Sequence, residues 1–286
     1  MKRSYHRYVE MHPDPRMQVV RRRGLVGLGV KVGIIDSGLA EPSIQVSDKQ
    51  DFTVSNGTCQ DVLGHGSLVA KIVKTYAPGV GLAIAKVANQ AQGIEAERVI
   101  RALEWCVDMG VQVINLSLGF EPTVFCRNGK CRLCATVAAV VALGIPVITA
   151  AGNSVIVQPN GIDKRIRCPA VSDYAFSVGA IDENGQIADY CSEPMQGQNK
   201  PDIYAPGTVI EFGPQNRQTG TSFATPLVTA TCAMLGSYRG NFLDILDILR
   251  QTAVPLGNVV AGAGVLNIPG AWERITDDNT VSGSEG

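Results

Sequence analysis

The feature that most limits what this chain can fold into is an alternation. Short apolar runs rich in β-formers, VKVGIID (30–36), GLAIAKV (81–87), VQVINLSL (111–118), IPVITAA (145–151) and AFSVGAI (175–181), are separated by longer stretches with helical periodicity. The first four lack clean polar alternation, as strands covered on both faces do. In GSLVAKIVKTY (66–76), Leu68, Val69, Ile72, Val73 and Tyr76 recur at helical spacing. In EAERVIRALEWCVDMG (95–110), Val99, Ala102, Leu103, Cys106 and Val107 share one side, and a glycine ends the pattern. CATVAAVVALG (134–144) is apolar nearly all round and is predicted to be a buried helix. Strand, helix, strand, helix in this order implies a parallel sheet with right-handed crossovers. No internal repeat and no linker divides it.

Composition excludes several classes. Of 286 residues, 45% are apolar and 18% charged, which suits a packed core rather than disorder. A formal net charge of −1 argues for neither a nucleic-acid nor a membrane-surface partner. Lys2, Arg3, Arg7, Arg16, Arg21, Arg22 and Arg23 make the first 23 residues basic. No apolar run there serves as a signal peptide, and none elsewhere is long enough to span a membrane. A cytoplasmic location is therefore expected, with the eight cysteines as reduced thiols.

In an open parallel sheet, functional side chains gather beyond the carboxyl ends of the strands. Asp36 ends the first strand, His65 opens a helix and Ser222 sits at the start of another, with Gly38, Gly64, Gly66 and Gly220 close by. Singly, each has a structural explanation: Asp36 as a turn residue, Thr221 or Ser222 as an N-cap, with Pro226 near the tolerant first turn. Together they supply what a hydroxyl nucleophile needs, an imidazole to take its proton and a carboxylate to orient that imidazole. Asn153, just past a buried strand, offers an amide N–H to an oxygen that turns negative when an acyl carbonyl is attacked.

In chain order, DSG (36–38), GHGSLVA (64–70), SLG (117–119), AAGN (150–153) and GTSFATP (220–226) resemble the motifs of the subtilisin-like serine proteases, the subtilase family. The resemblance covers roughly residues 25 to 252. It implies a single α/β domain with a mainly parallel central β-sheet of about seven strands and helices on both faces. It also implies a serine endopeptidase with Ser222 as nucleophile, His65 as base and acid, Asp36 as orienting acid and Asn153 as oxyanion donor. Ser117, Leu118 and Gly119 match the strand that pairs with an extended peptide substrate. Ala150, Ala151 and Gly152 match the strand lining the pocket for the side chain before the cut bond, and their small size predicts an open pocket. No cofactor is required; structural calcium occurs in the family, but its ligands are not matched here.

The chain also departs from the family. Secreted members carry a prodomain, and the 35 residues before Asp36 are too few for one, which points to the intracellular branch. Residues 1–23 are read as a basic extension, with MHPDPRMQVVRRRG (11–24) expected to restrain the cleft. Residues 24–275 form the peptidase domain and 276–286 a flexible tail. Phe120 stands where the family usually has a small residue, so a ring is expected to narrow or extend the groove. Cys126, Cys131 and Cys134 form C-x4-C-x2-C, with Cys168 and Cys191 later; the motif lacks a local fourth ligand, so zinc is not expected there, and reduced thiols are, or a disulfide if the compartment is oxidising. The glycines of GLVGLGVKVG (24–33) precede their strand, which argues against phosphate binding. Three other readings stay open: a leader-cutting maturation protease or transpeptidase, a catalytically inactive peptide-binding module, and a nucleotide-binding protein. The oligomeric state is not readable.

Overall fold

A computed structural model describes residues 9–10, 24–53, 57–91, 93–126, 130–157, 161–210, 217–257 and 264–281. In chain order the strands are β1 (Val9–Glu10), β2 (Lys31–Asp36), β3 (Asp48–Asp51), β4 (Gly81–Lys86), β5 (Ala88–Asn89), β6 (Gly93–Ile94), β7 (Val113–Leu116) and β8 (Val147–Ala150). They continue as β9 (Val155–Val157), β10 (Gly161–Asp163), β11 (Phe176–Ile181), β12 (Ile203–Pro206), β13 (Thr208–Ile210) and β14 (Arg217–Thr219). The helices are α1 (His65–Tyr76), α2 (Ala96–Asp108), α3 (Arg132–Ala142), α4 (Thr221–Arg239), α5 (Phe242–Thr252) and α6 (Ile268–Val281).

Seven strands form one sheet in the order β12-β11-β8-β7-β2-β4-β3, all pairings parallel. The five strands expected from sequence are its centre. Successive side chains leave a strand on opposite faces, and here both faces are apolar. Val32, Ile34, Leu82, Ile84 and Ile148 pack with α1, α4, α5 and α6 in one core. Ile35, Ala83, Ala85, Ile114 and Val147 pack with α2 and α3 in a second. Burying each such Val, Leu or Ile side chain stabilises the fold by about 1.5–3 kcal/mol. From β2 the chain reaches the edge strand β3, returns to β4, and then crosses to β7 on the other side of β2, from where it moves outward through β8, β11 and β12. A crevice therefore opens at the strands' carboxyl ends.

One expectation is corrected. Helix α3 is not enclosed: Leu133, Cys134, Val137 and Val140 are buried, but Ala135, Ala139 and Ala142 are exposed. Alanine favours a helix on either face, so an Ala-rich run reports propensity rather than burial. At the other end of the chain, Ala271, Trp272 and Ile275 anchor α6 in the core, and the helix runs to Val281. Among the described residues no helix is long and apolar enough to cross a membrane. The segment expected to restrain the cleft lies outside the described residues but for Gly24. Ahead of it, Val9–Glu10 pairs in parallel with β13, which pairs with β14.

Candidate active site

Asp36 is the last residue of β2 and is 4% exposed. Its Oδ1 accepts the Ser37 N–H at 2.8 Å and lies 2.7 Å from His65 Nδ1. His65 is the first residue of α1, and its side chain is 32% exposed, so a substrate can reach it. The Asp36 charge raises the imidazole pKa above 6.5 against the opposing effect of burial; the bond to Asp36 and the Asp61 charge add to the rise.

Glycine is needed where α1 meets the loop after β2. A Cβ on Gly66 would sit 2.4 Å from Gly38 O and 3.2 Å from Asp36 Oδ1. Without a side chain there, Gly66 donates its N–H to Ser37 Oγ at 2.9 Å. Asp61 completes the frame. Its Oδ1 accepts from Ser37 Oγ at 2.9 Å and Gly64 N at 2.9 Å, and its Oδ2 from Ser67 N at 2.8 Å. Gly64, the N-cap position of α1, has no side chain, so Asp61 satisfies the first-turn donors from a distance. Burial alone would raise the Asp61 pKa, but hydrogen bonds from Ser67, Ser37 and Gly64 hold it below the usual value.

Ser222 is the second residue of α4. The N-cap position is Gly220, and neither Thr221 nor Ser222 caps the helix with its side chain. Thr221 instead ties the helix to the strand after β8. Asn153 Oδ1 accepts from Thr221 N at 3.1 Å and Thr221 Oγ1 at 3.2 Å, and Gly152 N donates to Thr221 Oγ1 at 3.1 Å. These bonds turn the Asn153 amide nitrogen toward the nucleophile. A Cβ on Gly220 would lie 3.1 Å from Ser222 Oγ and 3.3 Å from Asn153 Nδ2, so both atoms border one small space. The Phe223 ring, one residue on, lies 5.4 Å from the His65 ring. Among the described residues His65 bonds to Asp36 but not to Ser222, a separation that substrate binding commonly tightens.

Pro226 lies inside α4, just beyond its first turn. Its missing N–H leaves the Ser222 carbonyl without its i+4 donor. Ser117 Oγ fills the gap, donating to Ser222 O at 2.8 Å while accepting from Asn115 Nδ2 at 2.9 Å. Asn115 Oδ1 in turn accepts from Thr229 Oγ1 at 2.9 Å.

Ser117, Leu118 and Gly119 follow β7 at one rim of the crevice, and Ala150, Ala151 and Gly152 end β8 and continue past it. The space between Gly119 and Gly152 is not open. A Cβ on Gly119 would sit 2.7 Å from Arg167 Cβ, and one on Gly152 would sit 2.3 Å from Arg167 Cγ. Arg167 Nη1 pairs with Asp163 Oδ2 at 2.9 Å, and Arg167 N donates to Ala151 O at 2.9 Å. Hydrogen bonds from Arg165, with the Arg167 charge, hold the Asp163 carboxyl well below its usual range. Small strand residues thus make room for a neighbour's side chain. The Phe120 ring rests against the core between the sheet and α3, and its backbone pairs with Cys168.

The cysteines converge in a way that spacing along the chain does not reveal. Cys126, Cys131 and Cys134 meet Cys168, and their four sulfurs lie within 4.8 Å of one another. Sequence reading missed Ser37, Asp61, Asn115, Asp163 and Arg167, and named Cys168 without joining it to the other three. Only Asp61, in the polar turn ahead of GHG, carries a local signal.

A sequence profile of the Subtilase family matches residues 27–267. Subtilisin DY of Bacillus licheniformis is 32% identical over 270 residues, covering 88% of this chain and 94% of its own. Subtilisin E of Bacillus subtilis (strain 168) is 29% identical over 289 residues, covering 93% of this chain and 72% of its own. Among solved structures, the prenylagaramide maturation protease PagA superposes with a TM-score of 0.72 at 23% identity, covering 92% of this chain and 99% of that one. A lanthipeptide protease superposes with a TM-score of 0.74 at 21% identity, covering 91% and 93%. At these identities the two structures share the fold.

Proposed function

The chain belongs to the subtilase family of peptide-bond hydrolases, and we propose that it is a serine endopeptidase working through Ser222, His65 and Asp36. The carrying observation is the 2.7 Å contact of His65 Nδ1 with the buried Asp36, with the His65 ring 5.4 Å from that of Phe223, the residue after Ser222, and Ser222 Oγ and Asn153 Nδ2 bordering one space. With Nδ1–H donated to Asp36, Nε2 keeps its lone pair. Ser222 Oγ attacks the substrate carbonyl as its proton passes to Nε2, and Asp36 stabilises the imidazolium. The carbonyl oxygen, now negative, takes hydrogen bonds from Asn153 Nδ2 and from N–H groups at the start of α4, whose dipole favours an anion. His65 then protonates the leaving amine, an acyl-Ser222 ester forms, and water activated by His65 hydrolyses it. The substrate lies extended along Ser117–Gly119 and Ala150–Gly152. A cytoplasmic location is part of the same reading.

A serine-directed fluorophosphonate tests this reading. It should label the wild type and not Ser222→Ala, whose turnover should fall about 10⁶-fold, the order measured in subtilisin. Equal labelling of both proteins, or of neither even after removal of the N-terminal extension, would refute it.

One observation favours a second, narrower reading. Arg167 between the two substrate strands suits a selective enzyme better than a degradative one, as in leader removal from a precursor peptide. Cleavage of casein at many sites would rule that out, whereas a single cut in a defined precursor would support it.

A further inference from the structure

We infer that Cys126, Cys131, Cys134 and Cys168 form a tetrahedral four-thiolate site for a structural zinc ion. Half of the chain's eight cysteines meet at this one point, from three separate segments. Cys126 comes from the loop after β7, Cys131 and Cys134 from the start of α3, and Cys168 from the segment before β11. Sequence spacing offers three ligands; the fold supplies the fourth.

The distances suit zinc. With Zn–S bonds of about 2.3 Å, tetrahedral geometry sets neighbouring sulfurs about 3.8 Å apart. Cys168 Sγ lies 3.6 Å from Cys131 Sγ and 3.5 Å from Cys134 Sγ. A few tenths of an ångström of outward movement would admit the ion.

The surroundings suit thiolates. Cys131 is the N-cap of α3, and its sulfur accepts the Cys134 N–H at 3.3 Å. Thr123 N and Oγ1 each lie 3.3 Å from Cys126 Sγ, placed to donate to it. Such donors orient sulfur ligands and temper their charge, and the start of a helix favours negative charge. On binding, the four thiols release their protons to solvent and the sulfurs take the ion. Cys126, Cys134 and Cys168 are buried and Cys131 is partly covered, so four protein ligands close the site as in structural zinc centres. Soft thiolates select zinc over magnesium or calcium.

The site would brace the cleft. Phe120, next to Gly119, exchanges backbone hydrogen bonds with Cys168 at 2.8 and 3.0 Å. Arg167, one residue before Cys168, lies against Gly119 and Gly152. An ion here would fix that wall to the start of α3.

The test is metal analysis of the full chain, produced with zinc in the medium and purified under reducing conditions, beside Cys168→Ser. We expect about one zinc per wild-type chain and less than about a tenth in the variant. Cobalt exchange into the wild type should give the visible absorption of tetrahedral four-thiolate cobalt, a readout that stands even if Cys168→Ser does not fold. Folded, reduced wild type without zinc and without that absorption would overturn the proposal. So would one iron in place of zinc, undiminished zinc in Cys168→Ser, or a mass two hydrogens short that marks a disulfide within the cluster.

Discussion

Ser117 Oγ donates a hydrogen bond to the backbone carbonyl of Ser222 at 2.8 Å, across 105 residues of sequence. Two features of the sequence meet in it: Pro226 removes one donor inside α4, and a hydroxyl from the strand end replaces it. The bond fixes the start of the nucleophile's helix to the rim where a substrate strand would lie.

Ser117→Ala should leave the Ser222 carbonyl without a donor and destabilise the protein by about 1–3 kcal/mol, the range for a buried acceptor that loses its partner. In a Pro226→Ala background the restored N–H can bond to that carbonyl, so the same substitution should cost about 1 kcal/mol less. Denaturant unfolding of the four proteins measures the coupling. Equal losses in both backgrounds would show that Ser117 and Pro226 do not share the carbonyl.

The state of His65 should set the pH profile. Its pKa is raised above 6.5, chiefly by the Asp36 charge. Catalysis needs the neutral imidazole, so kcat/KM should climb with pH along a limb whose midpoint lies above 6.5. Stability runs the other way: the His65–Asp36 attraction is fully present below pH 6.5 and fades as pH rises through the higher, folded-state value. Asp36→Asn should lower the limb's midpoint and cut turnover about 10⁴-fold, the order seen for such acids elsewhere. An unmoved midpoint in Asp36→Asn would detach the acid from the base.

The four polar residues of the proposed chemistry were legible because each sits in a short motif that carries its own local geometry: a strand end, two helix starts and a strand exit. The parallel sheet was legible because strands buried on both faces need uninterrupted apolar runs. What was hidden depends on distance along the chain. Cys168 lies 34 residues past Cys134, and nothing in RIRCP reveals that its sulfur joins the other three. Arg167 reads as a surface charge until Gly119 and Gly152 are seen to leave it room. The exposed alanines of α3 misled because apolar character in a helix does not distinguish a good helix former from a buried face.

The basic extension is proposed to restrain the site. Val9–Glu10 pairs with β13, and β14 on its other side runs directly into Gly220 and the nucleophile's helix. The proposal rests on that anchorage of Val9–Glu10 beside the segment leading to Ser222, and on Pro13 and Pro15 as residues that resist cleavage. Removing residues 1–20 should raise peptidase activity on a short fluorogenic peptide, with the larger change in KM if the segment competes with substrate. Activity equal to that of the full chain would discard the idea.

Arg167 should decide which side chain is accepted before the cut bond. Its stem runs between Gly119 and Gly152, the two strands proposed to grip the substrate, and its guanidinium is held by Asp163 at 2.9 Å. A large substrate side chain would have to displace a mostly buried ion pair, whereas a small one would rest on the arginine stem. Arg167→Ala removes the stem and leaves Asp163 still paired with Arg165 at 3.0 Å, so the loop keeps a partner for its carboxylate. In matched peptides, kcat/KM for a bulky apolar residue at that position should rise at least about tenfold, since each methylene accommodated in a pocket is worth about 1–3 kcal/mol. The value for alanine at the same position should change little. Parallel loss for both peptides would mean that Arg167 supports the cleft without shaping the pocket, and an unchanged ratio with full activity would place the specificity pocket elsewhere.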